Sequence, residues 1–176
     1  MSNAMKMNTI LFIILLACIG HSEELPIYFD PGIDSYIFNS RASTETLLRS
    51  NTPNISFGFS TYEFKLGDRH IIQFIAHPGG VKFEASGINI IEDLNSHLPI
   101  LYPGTAITQK GIYLGMSKKE LISKLGQPKV ALNDTLEYKV ENDAGILSKY
   151  NMSIYCGKYI FRQNKLVSFS FGFGYP

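Results

Sequence analysis

Cysteine is scarce in this chain of 176 residues: there are two, Cys18 and Cys156. Cys18 falls in an apolar N-terminal stretch, so no disulfide framework is available and the core has to come from packing. Cys156 lies in strand-like sequence and reads as a small buried hydrophobe, with a reactive thiol as the alternative. Charge of one sign is not in excess either, with 16 Lys and Arg against 15 Asp and Glu. There is no long basic run and no basic–aromatic interleaving, which argues against nucleic acid as the main partner. The apolar run Ile10–Ile19 is too short to span a bilayer.

Catalytic signatures are also missing. The sequence holds no His-Glu-x-x-His, no Cys-x-x-Cys and no carboxylate cluster at metal-ligand spacing. It has no Gly-x-Ser-x-Gly elbow and no phosphate-cradling glycine loop. His70 and His77 would face opposite sides of one uninterrupted strand, and His97 stands apart. His77-Pro-Gly-Gly80 reads as a turn. The expectation is therefore a protein that is not an enzyme, with no catalytic residues, no metal site and no cofactor.

What is present begins with the N-terminus. Residues 1–4 read as an expression scar, and 5–22 as a signal peptide with Lys6 ahead of the apolar run. Leu15-Leu-Ala-Cys18 resembles a bacterial lipobox, which makes Cys18 the lipidation candidate. Gly20-His-Ser22 offers small residues for ordinary cleavage before Glu23 instead. Either route exports the chain. The remainder has equal numbers of basic and acidic residues, and roughly 150 residues make one domain or two small packed units.

The best-specified local element lies at 111–128. Ser117 stands as an N-cap with Glu120 three residues on, the capping-box spacing. Met116 and Leu121 are placed as a hydrophobic staple. Leu121, Ile122 and Leu125 form an apolar stripe, Gly126 stands at the C-terminal cap, and Pro128 blocks continuation. A helix of about two turns is marginal alone in water, so it has to dock. Gly111, Gly115, Met116, Ser117, Glu120, Leu121, Leu125, Gly126 and Pro128 together resemble the motif of the SmpA/OmlA (BamE) family, and more broadly of modules with the β-lactamase-inhibitor-protein-like fold. The resemblance covers about twenty residues and a strand-rich continuation. It implies an α+β fold, with short helices packed on one face of an antiparallel sheet, and tandem copies of a helix-plus-sheet unit.

A second reading of the residues points the same way. Laying Ser43 on Ser117 puts Leu47 on Leu121 and Leu48 on Ile122, and without a gap puts Tyr62–Lys65 on Leu136–Lys139. Arg41, Thr52 and Asn54 then replace Gly115, Gly126 and Pro128, so the first copy is degenerate. The expected units are 23–104 and 105–176, joined through 98–108. Ser43 is expected to cap a first short helix. Strands are expected at 36–38, 57–66, 70–76, 81–85, 88–91, 135–140, 153–161 and 166–173, with Gly87 a break and Gly67-Asp68 and Gln163-Asn164 as hairpin turns.

In the last strand Phe169, Phe171, Phe173 and Tyr175 alternate with Ser168, Ser170, Gly172 and Gly174. Either the aromatic face is core and the small face open, or the aromatics form an exposed binding platform. These four aromatics are the partner-binding candidates. The leading expectation is a non-catalytic, exported protein-binding module of a bacterial envelope, periplasmic or anchored through a lipid, with a protein partner and no nucleic acid. The alternatives are a carrier or sensor of a lipid or glycan, an inhibitor of an envelope enzyme, and a secreted enzyme using Cys156 or a histidine.

Overall fold

Gln163 and Asn164 both adopt positive φ, 50° and 60°, which matches the twist of the strands they join. Those strands are β9 (Ile154–Arg162) and β10 (Lys165–Gly174). They belong to a computed structural model that describes residues 26–38, 40, 42, 43, 45, 54–56, 59–76, 85–93, 98, 100–141 and 145–174. Along β9 buried and exposed residues alternate strictly, because the pleat sends neighbours to opposite faces. In β10 the pairing shifts between Leu166 and Ser168, a one-residue bulge at Val167.

The protein is mostly antiparallel β-sheet. A two-stranded ribbon pairs β1 (Gly32–Ile33) with β2 (Tyr36–Ile37). The main sheet adds β3 (Asn54–Ser56), β4 (Phe59–Leu66), β5 (His70–Ala76), β6 (Ala85–Glu92), β7 (Val130–Leu132) and β8 (Thr135–Glu141). Its order is β3-β4-β5-β6-β10-β9-β8-β7. Two four-stranded meanders thus meet through their last strands, with Phe169 opposite Ile90 and Gly172 opposite Gly87. The sheet runs unbroken across the expected 104/105 boundary, and buried side chains from both sides share one core.

Two helices are described, α1 (Lys118–Leu125) and α2 (Ile146–Lys149). α1 begins as the sequence predicts. Ser117 is extended, and its hydroxyl accepts from the Glu120 amide at 3.2 Å. The Glu120 carboxylate, however, receives the Tyr113 hydroxyl. Gly126 has φ 76° and donates to the Ile122 carbonyl, and its own carbonyl accepts from the Tyr138 hydroxyl at 3.0 Å. Met116, Leu121 and Leu125 are all buried in the core, each leucine contributing about 1.5–3 kcal/mol.

One face of the sheet is sealed by aromatic packing. Tyr62 and Phe64 of β4, Phe74 of β5, Tyr138 of β8, and Tyr155, Tyr159 and Phe161 of β9 point to this side. Phe29, Tyr36, Phe38 and Tyr102 cover them from the ribbon and the connector. Two aspartates bind the ribbon to that connector. Asp30 is fully buried, and its carboxylate accepts from the Gly32 and Lys110 amides. Asp34 accepts from the Tyr102 hydroxyl at 2.9 Å, the Thr105 hydroxyl at 2.6 Å and the Ala106 amide at 2.8 Å.

Several expectations need correction. β6 runs through Gly87 without a break, because an outward glycine still pairs through its backbone. β7 and α2 were not anticipated: three and four residues carry too little periodicity to read. Within the join at 98–108, Thr108 makes a single bridge to Ile33. Ser43 lies within a helical stretch rather than ahead of it, and its hydroxyl bonds the Ser40 carbonyl and the Ile37 amide. The remainder of that first expected helix, and the strand at 81–84, lie outside the described residues.

Candidate functional site

The other face of the main sheet is open. Its side chains fall into cross-strand rows set by the pairing register. The central row is polar: Glu63 faces Gln73, Gln73 faces Asn89, Asn89 faces Ser170, Ser170 faces Lys158, and Lys158 faces Glu137. The Gln73 amide donates to Glu63 at 2.7 Å, and the Asn89 amide donates to Gln73 Oε1 at 3.2 Å. Lys158 lies 3.5 Å from Glu137. Each amide therefore passes a hydrogen bond along the row, which fixes side-chain positions across three strands.

Beside this row the sheet is bare at its middle. Ile75, Gly87, Gly172 and Cys156 follow one another across β5, β6, β10 and β9. The two glycines leave a shallow hollow of about 180 Å³, walled by Ile75, Asn89, Cys156 and Ser170. On the other side of the polar row, Leu132, Thr135 and Ile160 line up across β7, β8 and β9. Leu132 is 65% exposed, and Val130 and Ile160 are exposed beside it. The open face thus carries an apolar patch at its β7 end, a fixed polar row, and a hollow with a backbone floor. Charges of both signs stud it, including Lys139, Glu141, Arg162 and Glu92.

Phe169, Phe171 and Phe173 are buried, so the binding-platform reading of these three is corrected. The register puts them on the side where Phe29, Phe38 and Tyr159 pack. The small residues between them, Ser168, Ser170, Gly172 and Gly174, are the ones that face outward. Tyr175 and the lipidation candidate Cys18 lie outside the described residues, as do His77 and His97. Cys156 is corrected in the opposite direction: it is exposed on the open face, and partial burial pushes its thiol above the usual range. His70 begins β5 at a half-buried position. Gly111 and Gly115, with φ 72° and 89°, shape the turns before α1, and Pro128 follows it. The motif residues are therefore structural, and none of them faces the polar row.

Ionisation is most perturbed away from this face. Burial raises the Asp30 carboxyl to about 6 against hydrogen bonds from Thr108 and three backbone amides. Burial also works against the Asp34 carboxylate, but the hydrogen bonds from Thr105, Ala106 and Tyr102 outweigh it and hold the group below its ordinary value. Tyr155 and Tyr159 are pushed well up by burial. Among the described residues no three His, Cys, Asp or Glu side chains gather as a metal site.

The residues missed by sequence reading are the row itself, Glu63, Gln73, Asn89, Ser170, Lys158 and Glu137. Their signal was parity: each sits out of phase with the buried apolar side chains of its own strand, as Asn89 does between Ile88 and Ile90. The fold and this face define a largely antiparallel β protein with one sealed and one open sheet surface. Comparison with known proteins finds no family model, no curated protein and no solved structure that matches the chain.

Proposed function

We propose that this is an exported, non-catalytic protein-binding module of a bacterial envelope, and that its open sheet face meets the partner. One observation carries the reading. The face has an exposed apolar patch, Val130, Leu132 and Ile160, beside a row of amides and charges held in place by their own hydrogen bonds. A fixed polar row next to exposed aliphatic side chains suits a protein surface, because little side-chain freedom is lost on docking. The apolar run at 10–19 and the motif at 111–128 support the envelope assignment, with the anchor, if Cys18 is acylated, as the sole membrane contact.

The same reading takes the two meanders as copies of one helix-plus-sheet unit, as in β-lactamase-inhibitor-like modules. Its support is the mirrored strand order, in which two-residue turns open β4 at Phe59 and β8 at Thr135; this register lies two residues from the sequence overlay of Tyr62–Lys65 on Leu136–Lys139. The lipid or glycan carrier rested on an exposed aromatic face; with Phe169, Phe171 and Phe173 in the core it loses that support. An inhibitor of an envelope enzyme is one form of the protein-binding reading and would use the same face.

A photo-crosslinking residue at Ile160 or Leu132, followed by irradiation of cells and mass spectrometry of envelope fractions, tests this. One recurrent protein adduct from both positions, and none from Lys119 on the outer side of α1, is the expected result. Equal labelling from Lys119, or no adduct from either open-face position, would reject it.

A further inference from the structure

Each meander of the main sheet starts with a strand too short to cover its neighbour. β3 pairs with β4 only from Phe59 to Thr61, and β7 pairs with β8 only from Thr135 to Glu137. Beyond those points the outer edges of β4 and β8 are left over. On β4 the chain fills the edge itself. The Lys65 amide donates to the Ile100 carbonyl at 2.8 Å, and the Tyr102 amide donates to the Lys65 carbonyl at 2.8 Å. Residues 100–102 thus lie along β4 as an added strand, bridged in parallel at Leu101. Lys65 and Glu141 stand at equivalent positions counted from their hairpin turns.

Among the described residues no segment takes that place on β8. The Glu137 carbonyl accepts from the Lys129 amide on the outer side, so by antiparallel alternation Lys139 and Glu141 turn their backbone groups the same way. Among the described residues nothing bonds the Lys139 backbone from that side. A cleft of about 450 Å³ opens there, lined by Tyr28, Pro128, Lys129, Tyr138, Lys139 and Glu141. Tyr28 rests on Tyr138 with ring centroids 5.9 Å apart, as Tyr102 rests on Phe64 at 5.9 Å. An aromatic pair thus lies against the edge of β8 as on β4, and among the described residues no backbone strand accompanies it there. Two lysines and one glutamate charge the cleft, and Glu141 already lies between Lys129 and Lys139.

We propose that the β8 edge at Lys139–Glu141 is a strand-addition site for an extended, acidic peptide segment of a partner protein. The incoming backbone repeats what residues 100–102 do on β4, and its carboxylate meets the surplus lysine charge. Strand addition draws its affinity from main-chain hydrogen bonds and its selectivity from neighbouring side chains. The site uses the main-chain edge of β8, whereas the apolar patch and polar row offer side chains of the open face beside it, so Lys139→Pro and substitutions at Leu132 or Ile160 tell the two readings apart.

The probe is a capped peptide copying residues 98–104 of this chain with Leu101→Asp, titrated into the ¹⁵N-labelled protein. The expected result is saturable shifts at the Lys139 and Glu141 amides, with protection of the Lys139 amide from exchange. Lys139→Pro removes the donor at an edge position where proline is tolerated, and abolishes binding with the melting temperature retained. Lys139→Glu weakens binding about fivefold and serves as the test should the proline variant unfold. Lys119→Ala, on the outer side of α1, leaves the affinity unchanged. The absence of saturable shifts at millimolar peptide, shifts that survive Lys139→Pro, or binding indifferent to Lys139→Glu would each overturn the proposal. So would a concentration-dependent dimer in sedimentation that Lys139→Pro abolishes, since a second copy would then own the edge.

Discussion

The Tyr155 hydroxyl lies 2.9 Å from the Asp30 amide nitrogen and accepts from it, and it donates to the Asp30 carbonyl at 3.3 Å. One phenol on β9 thus satisfies both backbone groups of a residue at the far end of the chain. Tyr155→Phe would keep the ring, which packs 4.8 Å from Phe29, and strip both hydrogen bonds. The loss leaves a buried N–H and C=O without partners, which costs about 1–3 kcal/mol. Urea unfolding checks this; an unchanged midpoint would show that the ribbon is held by packing alone.

Asp30 makes stability depend on pH in an unusual direction. Burial raises its carboxyl from 3.8 to about 6 in the folded protein, so folding favours the protonated form. Its contribution is complete below the unfolded value and disappears as pH rises through about 6. Between pH 4 and pH 7 the fold should lose about 2–3 kcal/mol from this group. Asp34, held below its ordinary value, acts oppositely and weakens the fold only at more acid pH. The measurement is the difference in unfolding free energy between the parent and Asp30→Asn from pH 4 to 7. A difference that does not vary with pH would refute the assignment.

Capping and core terms of α1 separate cleanly. Leu121→Ala should cost about 2–5 kcal/mol, because the side chain is fully buried in the core. Ser117→Ala should cost about 1 kcal/mol, the worth of one capping hydrogen bond. Thermal melts of the two variants give the ratio. Equal losses would mean that the cap, and not the stripe, holds the helix to the sheet.

Two glycines should respond in opposite ways. A Cβ on Gly32 would overlap the Tyr36 carbonyl across the ribbon, so Gly32→Ala should prevent β1 and β2 from pairing. A Cβ on Gly87 meets nothing nearer than 3.8 Å, so Gly87→Ala should leave stability within about 1 kcal/mol. Circular dichroism melts decide both. A stable Gly32→Ala protein would show that the ribbon backbone yields.

Local features were legible in the residues. α1 was readable from Ser117 to Gly126 because caps and stripes act within one helix. The strand expected at 135–140 was readable because alternation there is strict, and the one at 70–76 because a β-rich run follows the Gly67-Asp68 turn. The alternation of β10 was equally clear, but its direction was not, since the covered face depends on Phe29 and Phe38 far away in sequence. Asp30 escaped notice for the same reason: its partner Tyr155 is 125 residues distant. Cys156 was misplaced although its parity was visible. It shares a face with Lys158 and Arg162, not with Tyr155 and Tyr159.

Among the described strands β10 comes after all the others in sequence, yet it occupies the middle of the sheet between β6 and β9. A chain made in N-to-C order would hold two separate half-sheets until β10 followed them. Deleting Phe169–Gly174 should therefore leave β6 and β9 as two bare edges where the protein has a continuous interior.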